Sequence, residues 1–381
     1  MAGPSAAAGD PAGTAAPVPS TWPAVLSRLL SGQDLDEASA AWAMNQILSG
    51  EATSAQIAGF VTALRAKGES ADEVNALVSV MLAHARLLDL GPDAPPVVLD
   101  VVGTGGDQSH TVNISTMTAL VCAAAGAPVV KHGNRAASSS TGTADVLEEL
   151  GVAIDIDPVG VAACVREVGI GFCFAQTHHP AMRYAGPTRR ELGVPTVFNI
   201  LGPLTNPGGA GAALIGCASP VLAPVMADVL CRRGVRAIVV RGDDGLDEIS
   251  TVTTTRVWDA TGGDVVESTI DPLDLGIPRV EPSALRGGDP SRNALLLRKV
   301  VGQMSDDDPD GWQVAAIRDA VAVNAAAALV AFEAAGSGSG DARPLTDRMR
   351  ETLPVARHAL ASGAAAELLD RWIEVSVGLR R

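Results

Sequence analysis

Val97-Val98-Leu99-Asp100-Val101-Val102 runs directly into Gly103-Thr104-Gly105-Gly106-Asp107, and Asn113-Ile114-Ser115-Thr116 follows a few residues on. The apolar run, broken only by Asp100, reads as a strand buried on both faces. Three glycines in four positions then make a turn, and the polar-capped apolar segment after it opens a helix. Strand, glycine turn and helix are half of a βαβ unit, so right-handed crossovers and a parallel sheet should follow. The same texture repeats downstream, where Ala127–Val130, Val152–Ile156, Ile170–Phe174, Ala213–Cys217 and Ala237–Val240 are short apolar runs separated by helical stretches. This part of the chain is expected to be α/β, with helices on both faces of a central, largely parallel sheet.

Upstream the pattern is different. From Trp22 to about Leu90 it is helical throughout. Asp34 with Glu37, Thr53 with Gln56 and Ser70 with Glu73 have capping-box spacing and mark three helix starts. Gly50 and Gly68 sit where left-handed C-terminal residues belong, and Ile57, Phe60, Val61 and Leu64 recur at helical period between them. Gly91-Pro92-Asp93-Ala94-Pro95-Pro96 then breaks the pattern as a linker. A small N-terminal α-helical domain, residues 21–92, is thus expected before a larger α/β domain, residues 97–381. Residues 1–20, rich in Ala, Pro, Gly and Ser and without a signal-peptide core, are expected to be a disordered tail. Gly336 to Gly340 reads as a flexible loop.

The chain has 381 residues, 47% of them hydrophobic, 3% aromatic and 19% charged, a composition that supports a real core and excludes a disordered chain. Its net charge of −15 argues against extended nucleic-acid or anionic-membrane surfaces as partners. Thr116–Val130, read as the most apolar stretch, is interrupted by Gly126 and Pro128 and is shorter than the roughly 20 residues that span a bilayer. No transmembrane helix is expected. Five cysteines without a CxxC pair fit buried, reduced thiols and a cytoplasmic location.

Four clusters carry chemistry. The Gly103–Asp107 loop lets backbone amides approach an anion, although it matches neither GxGxxG nor the nucleoside-triphosphate loop. Ser115 and Thr116 are placed to cap the following helix, whose N-terminus attracts phosphate. Lys131-His132-Gly133-Asn134-Arg135, followed by Ala136-Ala137-Ser138-Ser139-Ser140-Thr141-Gly142-Thr143-Ala144-Asp145, gathers two cations, an amide and a run of hydroxyls, a donor set for a phosphorylated sugar. In the third cluster, His178-His179 invites a zinc reading, but neither Cys nor carboxylate stands beside the pair at ligand spacing. An arginine in Pro187-Thr188-Arg189-Arg190-Glu191-Leu192-Gly193 could grip a carboxylate with two bonds. The acidic pairs of Arg241-Gly242-Asp243-Asp244-Gly245-Leu246-Asp247-Glu248 suit magnesium in a phosphate site. Residues 103–143 carry Lys131 and Arg135 against Asp107, and residues 171–216 carry Arg183, Arg189 and Arg190 against Glu191. The acidity therefore belongs to the rest of the chain, which leaves a locally basic cleft for small anions.

In this order GTGGD, NIST, KHGNR with SS and TGTAD, HHPAMR, FNILGPLTNP and GLDE, together with GEAT at Gly50–Thr53 and GGDP at Gly287–Pro290, resemble the anthranilate phosphoribosyltransferase family from Trp22 to the C-terminus. The resemblance implies a small helical domain, joined by helical segments from about 187–211, and a homodimer formed through it. It implies transfer of the phosphoribosyl group of phosphoribosyl pyrophosphate to the amine of anthranilate, with inversion at the anomeric carbon. The products are N-(5-phosphoribosyl)anthranilate and pyrophosphate, in the second step of tryptophan biosynthesis from chorismate. Carried over residue by residue, phosphoribosyl pyrophosphate would be bound by Gly103, Gly106, Asp107, Thr111, Asn113, Ile114, Ser115, Thr116, Lys131, His132, Gly133, Asn134, Arg135, Ala136, Ala137, Ser138, Ser139 and Thr143. Gly103, Asn134 and Arg189 would bind anthranilate. Ser115, Asp247 and Glu248 would hold magnesium, two ions per site. Lys131 and His132 would support the transition state, and no general base is assigned. Where the family reads SSKSGSAD, this chain has Ser138-Ser139-Ser140-Thr141-Gly142-Thr143-Ala144-Asp145, without the lysine. A pyrimidine nucleoside phosphorylase shares the architecture and the KHG start, but its loop continues differently. A non-catalytic, nucleic-acid-binding relative should have lost the glycine loop or the acidic pair and gained a basic face.

Overall fold

A computed structural model describes residues 20–136, 140–303, 307–338 and 340–380. Of the expected tail over residues 1–20, all but Ser20 lie outside the described residues, as do Ala137, Ser138 and Ser139 of the expected binding loop.

The helical part comprises α1 (Trp22–Leu30), α2 (Glu37–Leu48), α3 (Ser54–Lys67) and α4 (Ala71–Ala83). Thr53 with Gln56 and Ser70 with Glu73 form complete capping boxes, as their spacing predicts. Gly50 and Gly68 have φ of +77° and +94°, and Ile57, Phe60, Val61 and Leu64 are buried. The expected box at Asp34 is corrected: Asp36 caps α2 by accepting from Ser39 N–H, while Asp34 reaches Lys67 Nζ at 2.5 Å. Two aspartates compete there, and the adjacent one has the geometry to reach the free amide. A fourth helix start, Thr21 ahead of α1, carried no box and was not read from the sequence.

The α/β part runs β1 (Leu99–Gly103), α5 (Ile114–Ala124), β2 (Val129–Gly133), α6 (Thr143–Leu150), α7 (Pro158–Val168), β3 (Ile170–Phe174), α8 (Ala175–His178), α9 (Gly186–Leu192), α10 (Phe198–Leu204), β4 (Ala212–Gly216), α11 (Leu222–Arg232), β5 (Arg236–Gly242), β6 (Thr255–Asp259), β7 (Val266–Ile270), α12 (Pro290–Val301), α13 (Gly311–Ser337), α14 (Leu345–Ala361) and α15 (Ala364–Gly378). The strand order is β3-β2-β1-β4-β5-β6-β7. The first five are parallel and the last two antiparallel. The chain winds from β1 outward to β3, crosses back, and continues on the other side of β1 with β4. The β1–β4 junction is therefore the switch point, where open α/β sheets bind ligands beyond the carboxyl ends of their strands.

Several sequence expectations change here. Val152–Ile156 is not a strand. It is a buried connection between α6 and α7, tied to α15 by Ala153 N–H donating to Ser376 Oγ, and its apolar side chains fill the core without a ladder partner. β6 and β7 were not read, because β7 exposes much of its length and lacks an apolar run. Gly336 and Ser337 complete α13, and the helix ends at Gly338 with φ +66°. α13, rather than Thr116–Val130, is the long apolar segment: its most hydrophobic window has mean hydropathy 1.7 and is 83% buried inside the protein. It is the central core helix. Cys231 is half-buried, unlike the other four cysteines.

The sheet is a wall between two cores. Leu214, Ile238 and Val240 face α5, α12, α13 and α14. Their neighbours Ala213, Ile215, Ala237 and Val239 face α11, α10 and the helical bundle. Strand alternation thus gives the helical part a shared core with one sheet face. His178 Nδ1 bonds Arg86 O at 2.7 Å and His178 O accepts from Arg86 N–H, which fastens the exit from the bundle to the α/β part.

Candidate active site

The site grows from two glycines. Gly103 and Gly216 end β1 and β4 and are register partners at the switch point. A Cβ on Gly103 would lie 2.3 Å from Asp247 Oδ2, and one on Gly216 would lie 1.5 Å from Asp247 O. Only two strands that end without side chains let the acidic turn after β5 fold over them. Asp247 Oδ2 then accepts from Gly105 N–H at 2.7 Å, so the fourth motif closes onto the first. Gly105 and Gly106 have φ of +66° and +83°, the left-handed backbone that glycine permits. Gln108 and His110, at φ +58° and +51°, continue this left-handed backbone without glycine and store strain in the loop.

Asp107, Asp247 and Glu248 share this corner. Burial and the nearby Asp107 carboxylate raise the Asp247 pKa. Burial and Asp247 raise that of Glu248 well above the carboxylate range, although Lys131 and the Ser115 N–H favour its charged form. Like charges gathered in this way call for a cation. No group of three or more His, Cys, Asp or Glu in a metal-holding arrangement occurs among the described residues. Magnesium does not need such a cage, because it takes one or two carboxylates and completes its shell with water and substrate phosphate. The acidic pair, with the Ser115 hydroxyl beside it, fits that requirement.

Lys131 and His132 are consecutive on β2 and leave it on opposite faces. Lys131, 1% exposed, donates to Val101 O at 2.5 Å and to Ser115 Oγ at 3.2 Å. Burial pushes its pKa down to about 8 against the pull of Asp100, Glu248 and Asp247. His132 turns to α10, where Nδ1 meets Gly202 O at 3.0 Å. Burial and His179 press its pKa down to about 3, so it is a neutral imidazole. Asp100, the carboxylate inside the β1 apolar run, accepts from His132 N–H at 3.1 Å and is raised to about 6 by burial.

Asn113 stands at the N-cap position of α5, and neither Ser115 nor Thr116 caps that helix, which corrects the sequence reading. Both lie inside the first turn. Ile114 and Thr116 are buried, with N–H groups donating to Val112 O and Asn113 O, and they form the floor of the site. Thr111 bridges Arg286 in antiparallel fashion. In the second loop, Asn134 Oδ1 accepts from Arg135 N–H, and Arg135 pairs with Asp145 and Glu148 at 3.0 and 2.8 Å. Asp145 Oδ2 also accepts from Ala136 N–H and Gly142 N–H. Gly142 is required there, since its Cβ would lie 2.3 Å from Ala136 N. Thr143 opens α6 and packs against Gly133.

Among the described residues, no hydrogen bond or ion pair ties the Arg189 side chain to the phosphate-side residues. Its guanidinium lies over the Phe198 ring, 5.5 Å from the centroid, and burial lowers its pKa. Phe198 and Gly202 are one turn apart on α10, so Arg189 and His132 meet the same helix face. The adjacent histidines are structural: His179 Nε2 meets Thr205 O at 3.0 Å, as His178 meets Arg86 O. Two cavities, about 490 and 280 Å³, are lined by none of the expected site residues, although Asp100 lines the smaller one. The candidate site is an open crevice. Gly216, Asp100 and Asn324, which holds Ile249 N–H and C=O at 2.9 and 3.0 Å, were missed as single residues inside apolar runs, where only the carboxylate of Asp100 gave a signal.

Comparison with known proteins agrees with this geometry. Residues 95–366 match the glycosyl transferase family a/b domain, and residues 23–85 match that family's helical bundle domain. The anthranilate phosphoribosyltransferase of a Nocardioides species is 54% identical over 93% of this chain and 98% of its own. That of Acidothermus cellulolyticus is 55% identical over 94% of this chain and 96% of its own. Among solved structures, the Thermus thermophilus anthranilate phosphoribosyltransferase superposes with TM-score 0.81 at 39% identity, covering 93% of this chain and 99% of that one. The Saccharomyces cerevisiae enzyme in complex with PRPP and Mg gives 0.80 at 27% identity, covering 94% and 98%. On sequence, fold and the order of its site elements, this chain belongs to the anthranilate phosphoribosyltransferase family of glycosyl transferases.

Proposed function

We propose that this chain transfers the phosphoribosyl group of phosphoribosyl pyrophosphate to the amine of anthranilate and releases pyrophosphate. The observation that carries this reading is Asp247, whose carboxylate crowds Gly103 and accepts from Gly105 N–H and whose backbone carbonyl crowds Gly216, with the buried Glu248 carboxylate next to it in the chain. That arrangement joins an anion loop to a metal corner at the switch point of the sheet.

Gly103, Gly106, Asp107, Thr111 and Asn113 through Thr116 would hold the pyrophosphate and ribose. Asp247, Glu248 and Ser115 would hold magnesium, which when bound supplies positive charge to the departing group. Two ions per site, as the family resemblance implies, would share these residues with phosphate oxygens. Lys131 adds a buried charge next to Ser115. Thr143 would take the sugar side, and Asn134 would reach both phosphoribosyl pyrophosphate and anthranilate. Arg189, desolvated and without a carboxylate partner among the described residues, is suited to the anthranilate carboxylate with a two-pronged bond. The neutral anthranilate amine is already a nucleophile, so holding it opposite the leaving group is the main task. His132, neutral and buried, lines the α10 side as a hydrogen-bonding group and not as a cation. The chain divides at the linker into residues 21–92 and 97–381, with 187–211 joining the first part. Family resemblance further supports a homodimer through the helical domain, and the cysteine usage supports a cytoplasmic location.

The test is to mix the protein with anthranilate, phosphoribosyl pyrophosphate and magnesium and to follow loss of anthranilate fluorescence. Fluorescence should fall only with all components present. Arg189→Ala should raise the anthranilate KM by about ten-fold or more, the worth of a lost charged hydrogen bond, and leave the phosphoribosyl pyrophosphate KM in place. Thymidine phosphorolysis, or inactivity with salt-sensitive DNA binding, would overturn the reading.

A further inference from the structure

Asn293 lies far in sequence from every motif so far given a role, on the first turn of α12, and is 2% exposed. Its side chain joins three segments. Oδ1 accepts from Gly288 N–H at 2.7 Å, and Nδ2 donates to Asn113 Oδ1 at 2.9 Å. Asn113 Nδ2 in turn donates to Thr141 O at 3.3 Å. Both ends of this relay are backbone groups, a donor at Gly288 and an acceptor at Thr141, so the orientation of each amide is fixed by chemistry.

The same turn is tied to the binding loops elsewhere. Gly288 O accepts from Ser140 Oγ and Thr141 Oγ1 at 2.9 and 2.8 Å. Gly287 N–H donates to His110 O, and Val112 N–H to Leu285 O, so the strained end of the glycine loop leans on it. Gly287 has no room for a side chain, because a Cβ would lie 2.7 Å from Asn293 Oδ1 and 2.8 Å from Thr111 O. Asn113, a residue type that normally caps its own helix, makes no side-chain cap here. Its oxygen is taken by Asn293.

We propose that Asn293 is a positioning residue for phosphoribosyl pyrophosphate: it holds the Asn113 amide and the Gly287-Gly288 turn in one network, and so sets the glycine loop and the 140–142 loop at the spacing the substrate needs. This rests on the function proposed above. Asn293 touches no substrate atom and acts through Asn113 and the turn. Asn293→Asp keeps an acceptor for Gly288 N–H and loses the donor to Asn113, whereas Asn293→Ala loses both.

Steady-state kinetics on the full-length protein test this. Asn293→Asp should raise the phosphoribosyl pyrophosphate KM about ten-fold, the worth of one buried hydrogen bond, and leave the anthranilate KM unchanged. Asn113→Ala combined with Asn293→Ala should cost little more than Asn113→Ala alone, because Asn293 acts through Asn113 and residues that share a network are not additive. Additive losses, or an Asn293→Asp enzyme with wild-type substrate constants and only a lowered melting temperature, would overturn the proposal. If Asn293→Ala does not fold, the Asn293→Asp measurement decides it alone. An inactive wild-type protein would instead count against the function on which it rests.

Discussion

At the scale of single residues, glycine decides where the carboxylates sit. Gly216 has no binding role of its own, but a methyl group there meets the Asp247 backbone carbonyl, whereas at Gly103 it meets the movable end of the Asp247 side chain. Gly216→Ala should therefore lower kcat/KM by about 100-fold, the scale of an ångström misplacement, and more than Gly103→Ala does. Equal losses in the fluorescence assay would contradict this. His179 gives a test in pH. Burial depresses its pKa to about 4, against roughly 6.5 in an unfolded chain. Its contribution is thus present above pH 6.5 and is lost as pH falls toward 4, on the order of 3 kcal/mol. Asp100, raised to about 6, acts with the opposite sign and loses its contribution as pH rises through 6. His179→Gln keeps a donor for Thr205 O and removes the titration, so its melting temperature should fall less steeply than that of wild type between pH 6.5 and 4. Parallel curves would show that His179 is not held neutral.

At the scale of elements, α13 and α10 position what the strands present. α13 is apolar and long enough to be taken for a membrane span, yet it carries Asn324 at its buried centre. That amide pairs with both backbone groups of Ile249, immediately after Glu248, and so fixes the acidic turn to the core helix. Asn324→Leu preserves bulk and strands a buried N–H and C=O. It should cost about 3 kcal/mol in chemical denaturation and weaken magnesium-dependent activity together with it. Unchanged stability would mean that the turn finds other partners. α10 has a matching task, since Phe198 and Gly202 on one face receive Arg189 and His132. The capping boxes at Thr53 and Ser70 were legible because both partners lie within one turn. The cap at Asp36 was not, because choosing it over Asp34 depends on Lys67, which comes from the far end of α3.

At the scale of the whole molecule, one sheet divides two cores, and the helical bundle shares the core on the α11 side. The proposed homodimer can be checked by light scattering during size-exclusion chromatography, where a mass near twice 38.7 kDa is expected and a monomer would refute it. Although its strand over 152–156 and its helix over 84–90 are absent from the structure, by itself the sequence determined the five strands β1 to β5, the helical character of the stretch from Trp22 to Ala83 and the chemical type of each binding loop. These rest on side-chain period, glycine sterics and donor inventory, all of which act within a few residues. Only the tertiary structure decided that Gly103 and Gly216 are partners, that Asp247 lies over both, that β6 and β7 extend the sheet, and that Asn293 holds Asn113. Those contacts join residues far apart in the chain. They depend on strand order and on which buried polar groups remain to be paired once the layers have closed, and no local propensity carries that information.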